Sequence, residues 1–392
     1  MTTTEVKQRL LTPGPTAVPQ EVLNELAQPI IHHRTKQFQA IFGDLSAKLQ
    51  KIFKTEGPVL SIAGSGTTAF EAAQICLAKP GSKVITCAGG KFGERWQDVY
   101  DVYAKFLNLE QIKINFDWGK AAPVDQIKKA LDENPDVSVV TICHSDTSTA
   151  TASDVQAIAA LTQKTDALLI VDGITSVGAF ECEMDAWGID CLVTGSQKAM
   201  MLPPGLGYVG LGKRALARLD AIEHDLPAYN LDLRKWVKSH AKNDVPFTPP
   251  VALIRGQNVA CDLILKDGLE AKIAETKKLA AASRAAFVAM GLTLASESPS
   301  DSVTGVYYPE GVVDGKFRGA VRDNHGVHIA GGQDGRGAKW KGKIFRISHM
   351  GYVDFEDTSV AFGAMEAELI AQGVAIEPGT AVKAFEAAYN NA

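Results

Sequence analysis

One lysine and one aspartate, each closing an apolar run, are the residues of this chain best placed to do chemistry. Lys198 ends the stretch Asp190-Cys-Leu-Val-Thr-Gly-Ser-Gln-Lys and is followed at once by Ala-Met-Met-Leu-Pro-Pro. The first part reads as a buried strand, and the small polar residues after it as the turn that stops it. An amine held between apolar stretches is poorly solvated, which disfavours its charged form and lowers its pKa. A neutral amine is what Schiff-base chemistry requires. Asp172 ends a second run, Ala167-Leu-Leu-Ile-Val-Asp. A strand-end lysine and a strand-end carboxylate are the two protein groups that a pyridoxal phosphate site needs. The carboxylate there keeps the pyridine nitrogen protonated; the competing reading of Asp172 is an N-cap for the next helix.

Three further segments bear on such a site. Ala63-Gly-Ser-Gly-Thr-Thr-Ala69 lies between a strand-like and a helix-like run. Its glycines admit a ligand close to the backbone, and Ser65, Gly66 and Thr67 at a helix N-terminus offer donors to a phosphate. The same residues fit the loose dinucleotide pattern, but that pattern calls for an acid about twenty residues on. The next strand ends Cys87-Ala-Gly-Gly90 without one. Beside Asp172 and Lys198, the phosphate of pyridoxal phosphate is the better reading; a plain tight turn is the other. Phe92, in Gly90-Lys-Phe-Gly-Glu-Arg-Trp96, is either a ring that stacks on the cofactor or a core residue. Arg346 lies inside the apolar Lys343-Ile-Phe-Arg-Ile-Ser348. A buried arginine needs an anion. Either a substrate α-carboxylate is gripped by its planar fork, or an internal carboxylate forms a permanent salt bridge.

The elements that must position these groups alternate. After an extended arm over residues 1–20, where Pro13, Pro15, Pro19 and Gly14 forbid a helix, strand-like and helix-like runs follow one another to about 265. Pro58–Ile62, Lys83–Cys87, Val137–Cys143, Ala167–Val171 and Cys191–Val193 are short continuous apolar runs. That texture predicts an α/β doubly wound, mostly parallel sheet, a large cofactor-binding domain over 21–265. From 266 a long Ala/Lys/Glu-rich helix near 268–290, a strand near 302–308, a loop-rich middle and a final helix near 355–372 predict a smaller α+β domain over 266–392.

Composition narrows the classes. A length of 392 residues suits two domains. An apolar fraction of 46% with 22% charged residues is that of a globular enzyme. A net charge of −5 without a basic run argues against nucleic acid or an anionic membrane as partner. No segment has the length and apolarity of a membrane span. The six cysteines form no CxxC or Cys/His cluster, so disulfides and a metal site are not expected. A start without an apolar targeting run leads to the expectation of a cytoplasmic enzyme.

From Leu11-Thr-Pro-Gly-Pro-Thr to Phe345-Arg-Ile-Ser-His-Met-Gly-Tyr352 the chain resembles the class V, fold-type I pyridoxal phosphate aminotransferases, in the alanine–glyoxylate, serine–glyoxylate and serine–pyruvate branch. The resemblance implies that Lys198 carries the cofactor, that Phe92 stacks on its ring, and that Gln197 lies near its hydroxyl or phosphate. It places the Thr147 hydroxyl against the ring oxygen and Gly14, with Pro13 and Pro15 and the His32-His33-Arg34 segment, near the active-site mouth. It also implies that Thr248, in Phe247-Thr-Pro-Pro-Val251, reaches the phosphate of a neighbouring subunit in a homodimer with shared sites. His144 reads as structural. The implied activity is ping-pong transamination from a small amino acid, serine or alanine, to a 2-oxo acid, glyoxylate or pyruvate. Two alternatives stand beside it: a lyase or desulfurase on the same fold, for which Cys143 is the nearby thiol, and a non-catalytic subunit of a larger complex.

Overall fold

The computed structural model describes residues 7–392; the expectation of an extended arm over residues 1–6 lies outside the described residues. Seven strands form the central sheet: β1 (Val59–Gly64), β2 (Lys83–Ala88), β3 (Glu110–Asn115), β4 (Val137–Cys143), β5 (Leu168–Asp172), β6 (Cys191–Gly195) and β7 (Gly205–Leu211). Their order is β1-β7-β6-β5-β4-β2-β3. All neighbours run parallel except β7, which is antiparallel to both β1 and β6. The apolar runs of β4, β5 and β6 are buried at every position, as expected for strands covered by helices on both faces.

Two of these strands, β3 and β7, were not anticipated. β3 is an edge strand with most positions partly or fully exposed, so it lacks an apolar run. β7 carries Gly205, Gly207 and Gly210, which weaken the strand pattern. The glycine at 207 has a packing reason: a Cβ there would lie 2.8 Å from the Ala69 side chain, where the helix Gly66–Leu77 crosses the sheet.

A second, antiparallel sheet contains β8 (Val303–Tyr307), β9 (Ala330–Gly331) and β10 (Ile344–Ser348), in the order β8-β10-β9. The long helix expected near 268–290 spans Leu269–Ala289 and the one near 355–372 spans Phe355–Ala371. The latter is not the last: Thr380–Asn390 forms another, packed on Leu269–Ala289. Buried apolar side chains fall into two main clusters, one running from Val22 to Leu269 and one joining Leu11 to residues between Leu279 and Phe385. The N-terminal segment therefore belongs with the second cluster. Its Arg9–Leu10 pairs in parallel with Val327–His328, and Ser348 donates its backbone N–H to the Leu11 carbonyl. Among the described residues no helix is long and apolar enough to cross a membrane.

Candidate active site

The carboxyl ends of β5 and β6, the loop after β4 and the start of the helix after β1 converge on one pocket with about 490 Å3 of open space. Ser65, Gly66, Thr67, Phe92, Thr147, Asp172, Gln197 and Lys198 all line it, so eight of the eleven residues singled out from sequence share one wall. Such a position, beyond the carboxyl ends of parallel strands, is where open α/β sheets bind ligands.

Asp172 is buried, and three donors hold it. Its Oδ2 accepts from Trp96 Nε1 at 2.6 Å and Cys143 Sγ at 3.4 Å, and its Oδ1 accepts from the Ile174 N–H at 2.9 Å. Burial nevertheless dominates and raises its pKa to about 6. A carboxylate has about four lone-pair sites, so one remains for a ligand N–H. The helix-cap reading does not describe it, because the Ile174 bond closes a turn rather than the start of a helix. Cys143 is buried with its pKa well above the ordinary thiol range, chiefly by burial and then by the Asp172 charge. It is held in a hydrogen bond and is not the mobile thiolate that a desulfurase needs.

Lys198 has its pKa lowered to about 8, first by burial and next by the Arg346 charge, as its apolar flanks led us to expect. Its Nζ donates to the Pro13 carbonyl. Gly14 is the reason the arm can lie so close: its φ is +129°, and a Cβ there would sit 2.7 Å from Lys198 Cε. Thr16 ties the arm down from the other side, its Oγ1 donating to the Lys198 carbonyl at 2.8 Å. The Gln197 side-chain oxygen is buried without a hydrogen-bond partner. A buried amide in that state calls for a ligand.

Arg346 is buried, and among the described residues no carboxylate pairs with it. Nη1 donates to the Thr147 carbonyl at 2.6 Å, and Nη2 and Nε donate to the Gly331 carbonyl at 2.6 and 3.1 Å. Burial lowers its pKa to about 10, so it remains a cation at neutral pH. Neutral carbonyls orient the fork without cancelling its charge, so the internal salt bridge weighed from sequence is absent among the described residues. Thr248 is exposed and takes no part in the pocket wall of its own chain. Arg34 donates to Asp244 Oδ2 at 2.7 Å and to the Val245 carbonyl at 2.9 Å, bracing the loop that carries Thr248. His144 packs its ring on Phe180 and Trp187 and is held near pKa 3 by burial, a structural histidine as expected.

Sequence reasoning missed three residues of this site. Trp96 anchors Asp172, and Arg95 lines the pocket 4.8 Å from the Phe92 ring centroid, its Nη1 3.4 Å from Thr67 Oγ1. No carboxylate pairs with Arg95 among the described residues. Spacing could have found both: positions three and four residues after Phe92 share its face once a helix starts at Lys91. Asp146 is the third. Its Oδ2 accepts from the Phe92 and Gly93 N–H groups at 3.0 and 3.1 Å and so caps that helix from a different strand end. No local pattern announces it.

The pocket thus offers an amine, a buried carboxylate, an aromatic face with Ile174, a helix N-terminus with hydroxyls and a guanidinium, and an unfilled amide. That set fits pyridoxal phosphate group for group. The comparisons agree. The model of the class-V aminotransferases matches residues 9–358, and the chain belongs to that family. An aminotransferase of unestablished role from Methanocaldococcus jannaschii is 37% identical over 93% of each chain. The L-aspartate–glyoxylate aminotransferase of Paracoccus denitrificans is 34% identical over 97% of this chain and 96% of its own. The crystal structure of pyridoxamine–pyruvate aminotransferase from Mesorhizobium loti superposes with a TM-score of 0.91, covering 99% of both chains at 28% identity. The fold is that of the fold-type I enzymes, and the cofactor is pyridoxal phosphate.

Proposed function

We propose that the protein transfers the amino group of a small amino acid, serine or alanine, to glyoxylate or pyruvate in two half-reactions at a single site. The observation that carries this reading is the pairing of a pocket amine near pKa 8 with a buried, oriented and uncompensated arginine whose charge acts on that amine and whose fork bonds to the pocket residue Thr147. When bound, the cofactor supplies an electron sink for the bond-breaking at the substrate α-carbon. Lys198 Nζ holds the cofactor and, once released, moves the α-proton. Asp172 keeps the pyridine nitrogen protonated from a buried position, and burial is what raises its own pKa. Phe92 covers the ring, Thr147 and Gln197 face its substituents, and Ser65, Gly66 and Thr67 hold the phosphate. Arg346 grips the α-carboxylate of donor and acceptor alike, beside Gly14 at the mouth.

Two arrangements belong to the same proposal. One is an N-terminal arm over 1–20, a large domain over 21–265 and a small one over 266–392, a division that the two main buried clusters support. Thr248 serves the phosphate site of a second copy in a homodimer; its exposure, and the 74% exposure of Tyr229 packed on neighbouring Phe247, support that reading. A cytoplasmic location is supported by six cysteines that are all buried free thiols. Acceptors of two and three carbons are favoured by the relatives, which are named for glyoxylate and pyruvate.

Initial rates with serine or alanine varied against glyoxylate or pyruvate test this. Parallel double-reciprocal lines are expected for a donor that leaves before the acceptor binds. Ammonia or sulfide release without any 2-oxo acid would replace the reading with a lyase.

A further inference from the structure

The helix Lys91–Leu107 carries Phe92 in its first turn, and two residues on it carries Glu94, a carboxylate with 5% of its surface exposed. Among the described residues no basic side chain pairs with that carboxylate. Instead its oxygens accept two backbone N–H groups from a loop of the second core, Oε2 from Arg336 and Oε1 from Gly337, both at 2.7 Å. Arg336 then reaches back along the helix, with Nη2 3.0 Å from the Glu94 carbonyl and from Gln97 Oε1, and Nη1 on Asp98. The loop fits tightly there: a Cβ on Gly335 would lie 2.6 Å from Glu94 Oε2 and closer still to the Trp118 ring.

The start of this loop is Gly331, whose carbonyl accepts two of the three Arg346 hydrogen bonds. The third goes to the Thr147 carbonyl, and the neighbouring Asp146 caps the same helix through Phe92 and Gly93. The Thr147 carbonyl thus hangs from the first turn of the helix that presents Phe92, while the Gly331 carbonyl, in β9 against β10, opens the loop that the same turn clasps through Glu94. We infer that Glu94 is a positioning residue for substrate: by clasping residues 336–337 it fixes the Gly331 carbonyl, and so sets the direction of Arg346 relative to the ring stacked on Phe92. This rests on the reading of Arg346 as the α-carboxylate group. Carboxylate-to-amide bonds are stronger than neutral ones, and removing the carboxylate leaves two N–H groups unmatched. A misplacement of the order of 1 Å in a positioning group costs about 100-fold.

The test compares Glu94→Ala, Arg336→Ala and Arg346→Lys holoenzymes. For Glu94→Ala we expect the donor KM to rise about 10–100-fold while kcat stays within about threefold, the mark of lost uniform binding. Cofactor affinity, read by absorbance titration of the apoprotein, should stay within about twofold, and Arg336→Ala should raise KM about threefold. In an Arg346→Lys background the Glu94→Ala effect should shrink to about twofold or less, because no fork is left to aim. A donor KM unchanged in Glu94→Ala while Arg346→Lys raises it overturns the inference and leaves the Arg346 reading standing. So does a loss of cofactor affinity equal to the loss of donor affinity, which marks a merely structural role. If neither substitution moves KM, the Arg346 assignment falls and the inference with it. Should Glu94→Ala not fold, Glu94→Gln keeps an acceptor for one of the two N–H groups and is expected to raise KM about threefold.

Discussion

The two halves of the site use burial in opposite ways. At the ends of β5 and β6 it brings pKa values towards neutrality: Lys198 comes down to about 8 and Asp172 rises to about 6. On β10, Arg346 is as deeply placed, yet it keeps its charge and gains direction from two carbonyls, one on β9 and one in the loop after β4. On the roles proposed for them, the difference follows from task. Groups that exchange protons sit where desolvation can tune them, whereas a group that only grips an anion needs a fixed orientation and an intact charge.

Substitutions on the proton-exchanging side should strike turnover hardest. Lys198→Ala should lower kcat by about 10⁴-fold or more, since both the cofactor anchor and the proton carrier are lost. Steady-state rates at saturating donor check it, and activity near the native level would remove Lys198 from the chemistry. Asp172→Asn keeps an acceptor for Trp96 but cannot hold the pyridine nitrogen protonated, so kcat should fall about 10²–10³-fold with donor KM nearly unchanged.

On the gripping side the pattern should invert. Arg346→Lys loses the bidentate fork, and the expected result is a donor KM raised about 10–100-fold with a smaller change in kcat. Equal losses in kcat from Asp172→Asn and Arg346→Lys would erase the distinction between the halves.

The smallest expected effect is on stability and depends on pH. In the folded apoprotein Asp172 binds its proton more tightly, near pH 6, than its ordinary value of 3.8. Between those values the folded state holds more protons than the unfolded one, so apoprotein stability falls as pH rises through the window and stays lower above it. Asp172→Asn removes that cost. Urea unfolding of the two apoproteins should show the variant more stable by about 3 kcal/mol at pH 7.5. The advantage should vanish near pH 4. A variant less stable at both pH values would mean that Asp172 is not under strain.

The same contrast governs what could be read from sequence. Lys198, Asp172 and the Ser65–Thr67 turn were legible because each closes a continuous apolar strand at a polar turn, a signal carried by adjacent residues. Arg346 was legible as a charge inside an apolar strand, but its partners were not, since Gly331 on the short β9 and Thr147 in the loop after β4 lie far apart in the chain. β7 escaped notice because its glycines, needed for close helix packing, dilute the strand pattern. Glu94 and Asp146 look like ordinary surface acids in sequence. Only the packed structure shows that both serve the first turn of one helix.

The most direct measurement is the visible spectrum of the purified protein as serine, alanine and aspartate are added one at a time, followed by glyoxylate or pyruvate. The yellow absorbance of cofactor held on Lys198 should be bleached by serine or alanine in a single stoichiometric turnover and restored by the 2-oxo acid. A protein that takes up pyridoxal phosphate but whose band no amino acid bleaches, or one that shows no band at all, would contradict the account.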